Sequence, residues 1–227
     1  MTGAERCERE FFDRAVDDVA FDLVGAVVVV RGVEGSRRAL IVETEAYGGT
    51  DDPASHAFRG PTPRTAVMFG PAGHLYVYRS YGLHWCMNVV TGPGGVASAV
   101  LIRAAELEAV ESGADAVDSA TLRGPGNLTR GLGVTGADSG IDCCGTDARI
   151  YFERRRSVAA DLVGQSKRIG LTKGEDRLSR YYLIGHRAVS ATRGAKKPVR
   201  GHAPSSPRRW PSSSHDRSVS SRPVPGQ

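Results

Sequence analysis

"HLYVYRSYGLHWCMNVV", residues 74 to 90, reads as two strands folded back on each other. Successive side chains of a strand alternate, so Tyr76 and Tyr78 fall on one face and Val77 and Arg79 on the other. "SYG", residues 80 to 82, supplies the turn and puts Tyr81 at its tip. The segment holds three of the chain's seven tyrosines and one of its two tryptophans, with no acidic residue among them. A core would accept the rings, but Arg79, His84 and the interrupting Gly82 need another reason. Exposed rings beside arginines can stack on bases or wedge between them. The same residues also suit an ordinary amphipathic hairpin.

Working outward, "AVVVVRGV" (26–33), "EGS" and "RRALIVETEAY" (37–47) predict two strands joined by a tight turn. "VASAVLIRA" (96–104) is apolar enough for a central strand ending at Arg103, and "RLSRYYLIG" (177–185) predicts one more. Helical periodicity covers "FFDRAVDDVAFDLVG" (11–25), and a helix is expected through "AAELEAVES" (104–112). "RGPGNLTRGLGV" (123–134) reads as a Gly/Pro turn feeding a helix with Asn127 as its N-cap. Between the strands, "GGTDDPASHAFRGPTPR" (48–64) is a long connection of a kind that is usually functional. The expected class is α+β, with one domain over residues 1–194.

The formal net charge is +5, but it is unevenly placed. Residues 195–227 hold seven Lys/Arg against Asp216 alone, which leaves 23 basic and 24 acidic residues in 1–194. That tail is rich in Pro, Ser and Arg and poor in aliphatic residues, so disorder is expected, either as a plain solvated extension or as a weak, salt-sensitive tether to nucleic acid. Within the body, no Asp or Glu occurs from Pro53 through Ala105, where Arg59, Arg64, Arg79, Arg103, His56, His74 and His84 fall. A second acid-free window, Ser119 to Ala137, holds Arg123 and Arg130. Such segregation gives a positive face on a neutral body, as contact with phosphates requires.

No apolar run approaches the roughly 18 residues a membrane span needs, and the first residues are too acidic for a signal peptide. A cytoplasmic protein is expected, nucleoid-associated in a bacterium, without a membrane partner and monomeric. Cys7, Cys86, Cys143 and Cys144 form no CxxC pair and have no His at metal spacing, so reduced thiols and no metal site are expected.

In "VETEAYGG" (42–49), strand alternation puts Glu43 and Glu45 on one face, with Tyr47 just beyond. A carboxylate there can serve as general base for a water, or as an ion-pair partner for Arg59 or Arg64. An acid-plus-base glycosidase pair is disfavoured, because two residues of one strand do not easily flank a bond from opposite sides.

"VETEAYGGTDDPASHAFRGPTPRTAVMFGPAGHLYVYRSYGLHWCMNVV", "AVLIRAAELE" and "LRGPGNLTRGLGV" together resemble the alkyladenine (3-methyladenine) DNA glycosylase family over Val42 to Val134. "KRIGLTKGEDRLSRYYLIGHRAVS" resembles the family's last strand region but departs from it at Leu178 and Ser179. The resemblance implies a mixed, mostly antiparallel sheet with surrounding helices, like formyltransferase C-terminal domains, and a protruding hairpin that inserts into DNA. It implies Glu45 as the base that activates water, with Arg103 beside it positioning that water. Tyr47 and Tyr78 would sandwich the flipped base, His56 would contact it from another wall, and Asn88 would exclude the exocyclic amine of guanine. Tyr81 would fill the gap in the duplex, and Arg59, Arg64, Arg79, Arg123 and Arg130 are the candidates for backbone contact.

The implied partner is double-stranded DNA carrying alkylated or deaminated purines: 3-methyladenine, 7-methylguanine, and with less chemical assistance hypoxanthine and ethenoadenine. Alkylation at N3 or N7 already makes the base a good leaving group, so a carboxylate and a water suffice, with no cofactor. The resembling stretch has no lysine, the nearest being Lys167 and Lys173, which argues against a Schiff-base lyase step and for an intact abasic product. A non-catalytic nucleic-acid-binding module would share the fold but would not need Glu45. A nucleoside hydrolase would need neither wedge nor cationic flank, and its rate would lack the steep salt dependence of duplex binding.

Overall fold

Strand β3 (Gly35–Tyr47) is where the parts of the molecule meet, and every residue of it from Ile41 through Ala46 is buried. The computed structural model describes residues 5–108, 122–155, 158–174 and 176–190. On one edge β3 pairs first with β2 (Val27–Gly32) and then, from Glu43 to Glu45, with β9 (Arg180–Leu183). On its other edge it pairs with β6 (Ser98–Leu107) from Ala39 to Tyr47. The remaining strands are β1 (Glu5–Arg6), β4 (Leu75–Ser80), β5 (His84–Thr91), β7 (Ile150–Arg154) and β8 (Val163–Ser166). The sheet runs β1-β7-β2-β3-β6-β5-β4, with β9 and β8 branching from β3. Every pairing among these strands is antiparallel, so the mixed sheet implied by the family resemblance is here antiparallel throughout the described residues.

Alternation sorts the side chains of the hairpin and its neighbours between two cores, while Val42 and Ala104 join Ala188 in a third, smaller one. Val77, Met87, Val89, Val100, Ile102 and Ile41 face the larger one, together with Phe12, Leu23, Leu128 and Leu132 from the helices α1 (Arg9–Phe12), α2 (Val16–Leu23) and α3 (Pro125–Leu132). Tyr76, Val90 and Ala99 face the other side, against Ala57 of the long connection and Met68 of the short turn Ala66–Phe69 that follows it, with Tyr78 half-buried beside them. Tyr76 and Val77 therefore enter different cores, as neighbours on one strand must.

Three expectations change. The helix over 104–112 is instead the continuation of β6 to Leu107, with Ala104, Ala105, Glu106 and Leu107 in register against Glu43, Ile41, Leu40 and Ala39; residues 109–112 lie outside the described ones. An Ala/Glu/Leu stretch has good helix propensity, but pairing with a buried strand overrides it. The N-cap of α3 is Gly124 at φ 83°, with Pro125 in the first turn, where its missing N–H costs nothing. Asn127 sits inside the helix, its amide donating to the Arg123 carbonyl and accepting from Arg130, both at 2.9 Å. The periodicity of 11–25 resolves into two short helices, α1 and α2, rather than one. The tail 195–227 and its expected disorder lie outside the described residues. Among the described residues no helix is long and apolar enough to cross a membrane.

Where the chain leaves β3, Gly49 adopts φ 54°, and a Cβ there would lie 2.1 Å from the Val96 carbonyl oxygen. Neither the conformation nor the space admits a side chain. Gly49→Ala is expected to lower the melting temperature by at least about 4 °C, the equivalent of about 1–2 kcal/mol in a domain of this size. A thermal melt of the variant beside the wild type checks it.

Candidate active site

One row of residues crosses the sheet in register: Tyr76 opposite Asn88, Asn88 opposite Leu101, and Leu101 opposite Glu45. In antiparallel pairs directly opposed side chains share a face. The row therefore brings four strands, β4, β5, β6 and β3, to one cleft. Two register shifts in β3, on either side of Glu43, adjust its pairing with β6 just before Glu45.

Glu45 is fully buried. Its Oε1 accepts the Ile169 amide N–H at 2.8 Å, and its Oε2 accepts the Tyr47 hydroxyl at 2.9 Å and lies 3.4 Å from Arg103 Nη1. Arg103 also stands between the two carboxylates of the strand, its Nε 3.2 Å from Glu43 Oε1 as an ion pair rather than a hydrogen bond. Glu43 is held elsewhere, accepting from Arg180 Nε and the Ser190 amide at 2.7 Å each. The two glutamates thus both reach Arg103 but are held differently: Glu43 accepts from Arg180 and the Ser190 amide, whereas Glu45 accepts from the Ile169 amide and the Tyr47 hydroxyl and keeps one loose contact on Oε2. The partners considered from sequence, Arg59 and Arg64, pair with neither carboxylate; Arg103 and Arg180 take their place.

Burial pushes the Glu45 carboxyl above its usual value of 4.5, and the Arg103 charge, the Ile169 N–H and the Tyr47 hydroxyl pull only partly against it. Burial, and then the neighbouring Glu45 charge, push the Tyr47 phenol up, so it stays a proton donor to the carboxylate. Burial, reinforced by the Arg64 charge, lowers His56 to about 4, which makes its imidazole neutral at pH 7.

A cleft of about 540 Å³, within the roughly 300–1,000 Å³ usual for small-molecule sites, is lined by the three residues that hold Glu45, namely Tyr47, Arg103 and Ile169, while Glu45 itself stays behind them, outside the lining. Tyr47, His56, Tyr78, Tyr81, Asn88 and Arg103 all line it, as do Arg64 and Arg79. His56 Nδ1 is 3.1 Å from the Tyr76 hydroxyl, and its ring meets Tyr78 edge-on at 4.3 Å between centroids. Tyr78 in turn stacks on Tyr76 at 5.6 Å, and the Arg64 guanidinium lies 5.7 Å from the centre of Tyr78. Asn88 spends its amide nitrogen on the Tyr76 carbonyl at 3.0 Å, which leaves its oxygen as the polar atom it can offer to the cleft. Tyr81 lies at the hairpin tip with φ 48° and is 93% exposed.

The structure does not bring all the expected cations here. Arg59, Arg123 and Arg130 are exposed but do not line the cleft; Arg130 bonds Asn127, and Arg123 bonds the Arg187 carbonyl. Cys86 lines it, opposite Tyr78 in the hairpin, and all four cysteines are free thiols. Sequence reasoning missed Ile169, Asp52 and Arg168. For Arg168 and Ile169 the only signal was "KRIG" (167–170) ahead of a strand, which does not distinguish a buried arginine from a surface one; Asp52 lies in the long connection 48–64, where nothing sets it apart from the adjacent Asp51.

The profile of the methylpurine-DNA glycosylase family matches residues 10–187, well beyond the stretch from Val42 to Val134. It therefore includes Lys167 and Lys173, neither of which lines the cleft. A Frankia casuarinae protein named as a candidate 3-methyladenine DNA glycosylase is 43% identical over 206 residues, covering 83% of this chain and 94% of its own. Proteins of the same name from Rhodopseudomonas palustris and a Mycobacterium species are 46% and 45% identical, covering 80% and 75% of this chain and 86% of their own in each case.

Proposed function

The chain belongs to the methylpurine-DNA glycosylase family, and we propose that it is a monofunctional DNA repair glycosylase, its catalytic domain spanning residues 1–194. It takes an alkylated purine out of the duplex and hydrolyses the N-glycosidic bond, leaving an abasic site. The observation that carries this reading is the buried Glu45 carboxylate held by three residues of the aromatic cleft's lining, Tyr47, Arg103 and Ile169, with a loose Arg103 contact on the oxygen a water would need.

In this reading a water enters between Glu45 Oε2 and Arg103, whose direct contact at 3.4 Å is a long one. Glu45 takes its proton as the hydroxyl attacks the anomeric carbon, and the carboxylate and its surroundings stabilise the oxocarbenium-like sugar. The bond pair leaves with the base, whose alkyl group has already made it cationic. Tyr47 and Tyr78 offer ring faces that attract such a base, and neutral His56 adds no repelling charge. Asn88 limits the space beside the base, which disfavours guanine's amine. Tyr81 fills the gap in the stack, while Arg64, Arg79 and the more distant Arg59, Arg123 and Arg130 meet phosphates. 3-Methyladenine and 7-methylguanine are the expected substrates; hypoxanthine and ethenoadenine, which leave less readily, are slower ones.

The test is release of 3-methyladenine from methylated duplex DNA. Free base together with alkali-sensitive sites is the expected result, with duplex binding that weakens steeply as salt rises. Tight duplex binding with no base released would mean a binding module instead.

A further inference from the structure

We propose that the buried Asp52–Arg168 ion pair is a positioning element that sets the stacking ring of Tyr47 and the carboxylate of Glu45 together. The inference rests on the roles of Tyr47 and Glu45 proposed above.

Both side chains of the pair are fully buried, though they lie far apart in sequence. Arg168 reaches Asp52 with both Nη atoms, the Nη2–Oδ1 bond being 2.9 Å, and also donates to the carbonyls of Ala46 at 2.9 Å and Gly174 at 3.1 Å. Ala46 lies between Glu45 and Tyr47, so the fork is anchored on the backbone that carries both. The guanidinium carbon sits 4.6 Å from the centre of the Tyr47 ring, while its Nε has no hydrogen-bond partner among the described residues.

The next residue, Ile169, supplies the N–H that holds Glu45 Oε1. On the other side, the Asp52 carboxylate accepts the amides of Gly48 and Ala54 at 3.0 Å each, which orders the loop leading to Ser55 and His56 in the cleft wall. Burial by itself would raise the Asp52 carboxyl, but Arg168 and these amides hold it below its usual value, so it stays ionised. One guanidinium thus ties together the end of β3, the 48–54 loop and the segment beginning at Ile169. Its charge would weaken the attraction of the Tyr47 ring for a cationic base, and Asp52 cancels it.

The test uses the double variant Asp52→Asn/Arg168→Gln, which leaves no buried charge unpaired, and Arg168→Lys, which keeps the charge but loses fork and plane. Wild type and Glu45→Gln run beside them, read by thermal melting, binding to undamaged duplex and single-turnover release of 3-methyladenine. Expected for both variants are near-wild-type duplex binding, a lowered melting temperature that still leaves the protein folded at the assay temperature, because the Ala46 and Gly174 carbonyls lose a donor, and a release rate about 100-fold lower, the scale of a misplaced catalytic group. The acid limb of the rate profile should also move to higher pH. Glu45 loses the Ile169 N–H that favours its anion, while Arg103, Tyr47 and Glu43 still face it. If the double variant recovers stability and rate together, or if Arg168→Lys releases base at the wild-type rate, the pair is structural only and the proposal fails. Should the double variant not fold, Arg168→Lys decides alone. A wild type as inactive as Glu45→Gln overturns the glycosylase reading, and this inference with it.

Discussion

Glu45→Gln is expected to bind damaged duplex as the wild type does and to release base roughly 10³-fold more slowly. The substitution is nearly isosteric and removes only the charge and the capacity to take a proton. The carboxamide oxygen can still accept the Ile169 N–H, so the strand and the cleft keep their shape. The pH profile separates loss of a base from general damage. The Glu45 carboxyl titrates above its usual 4.5, because burial outweighs Arg103, the Ile169 amide and the Tyr47 hydroxyl. The wild-type rate should therefore fall on acidification through a value above 4.5, as the carboxylate takes up its proton, and the variant should lack that limb.

Stability should show the opposite sign. Between 4.5 and the raised folded value the native state binds more protons than the unfolded state, so stability contributed at this site is lost as pH rises through that window. The wild type should accordingly lose melting temperature relative to Glu45→Gln as pH increases from 4.5. Melts of both proteins across that range, with single-turnover rates on the same samples, check the two signs together. A rate unchanged by Glu45→Gln would remove Glu45 from the chemistry.

Tyr81→Ala is expected to reduce release from duplex DNA by about 10²-fold, with almost no change in stability. The ring is 93% exposed, so its loss removes no core contact. The hairpin beneath it is braced independently. Trp85, opposite Arg79, has its carbonyl bonded by Thr129 Oγ1 at 3.0 Å and its ring beside Gly136, while His84 lies against Gly126. Only the wedge is lost, and unstacking a base costs a few kcal/mol, of which about 2.7 kcal/mol corresponds to that factor. A single-stranded or unpaired substrate should recover most of the rate, because it has no stack to refill. Equal losses on duplex and single strand would place Tyr81 in the base pocket rather than in the duplex.

Local alternation was enough to put Tyr76 and Tyr78 on the face opposite Val77, to place Tyr81 at an exposed tip, and to put Glu43 and Glu45 on one side of β3, where both reach Arg103. These are properties of successive residues, and a period of two states them without knowledge of any partner. The acid-free window likewise held the cations that line the cleft, Arg64, Arg79 and Arg103. Tertiary structure alone decided what each charge meets. Register across β3 and β6 gave Glu45 to Arg103 rather than to Arg59 or Arg64, and turned the helix expected over 104–112 into strand as far as Leu107. Asp52 and Arg168, 116 positions apart, meet beneath Tyr47 because separate segments converge on the end of β3. An ion pair depends on distance in space, which the side-chain pattern of neither segment contains.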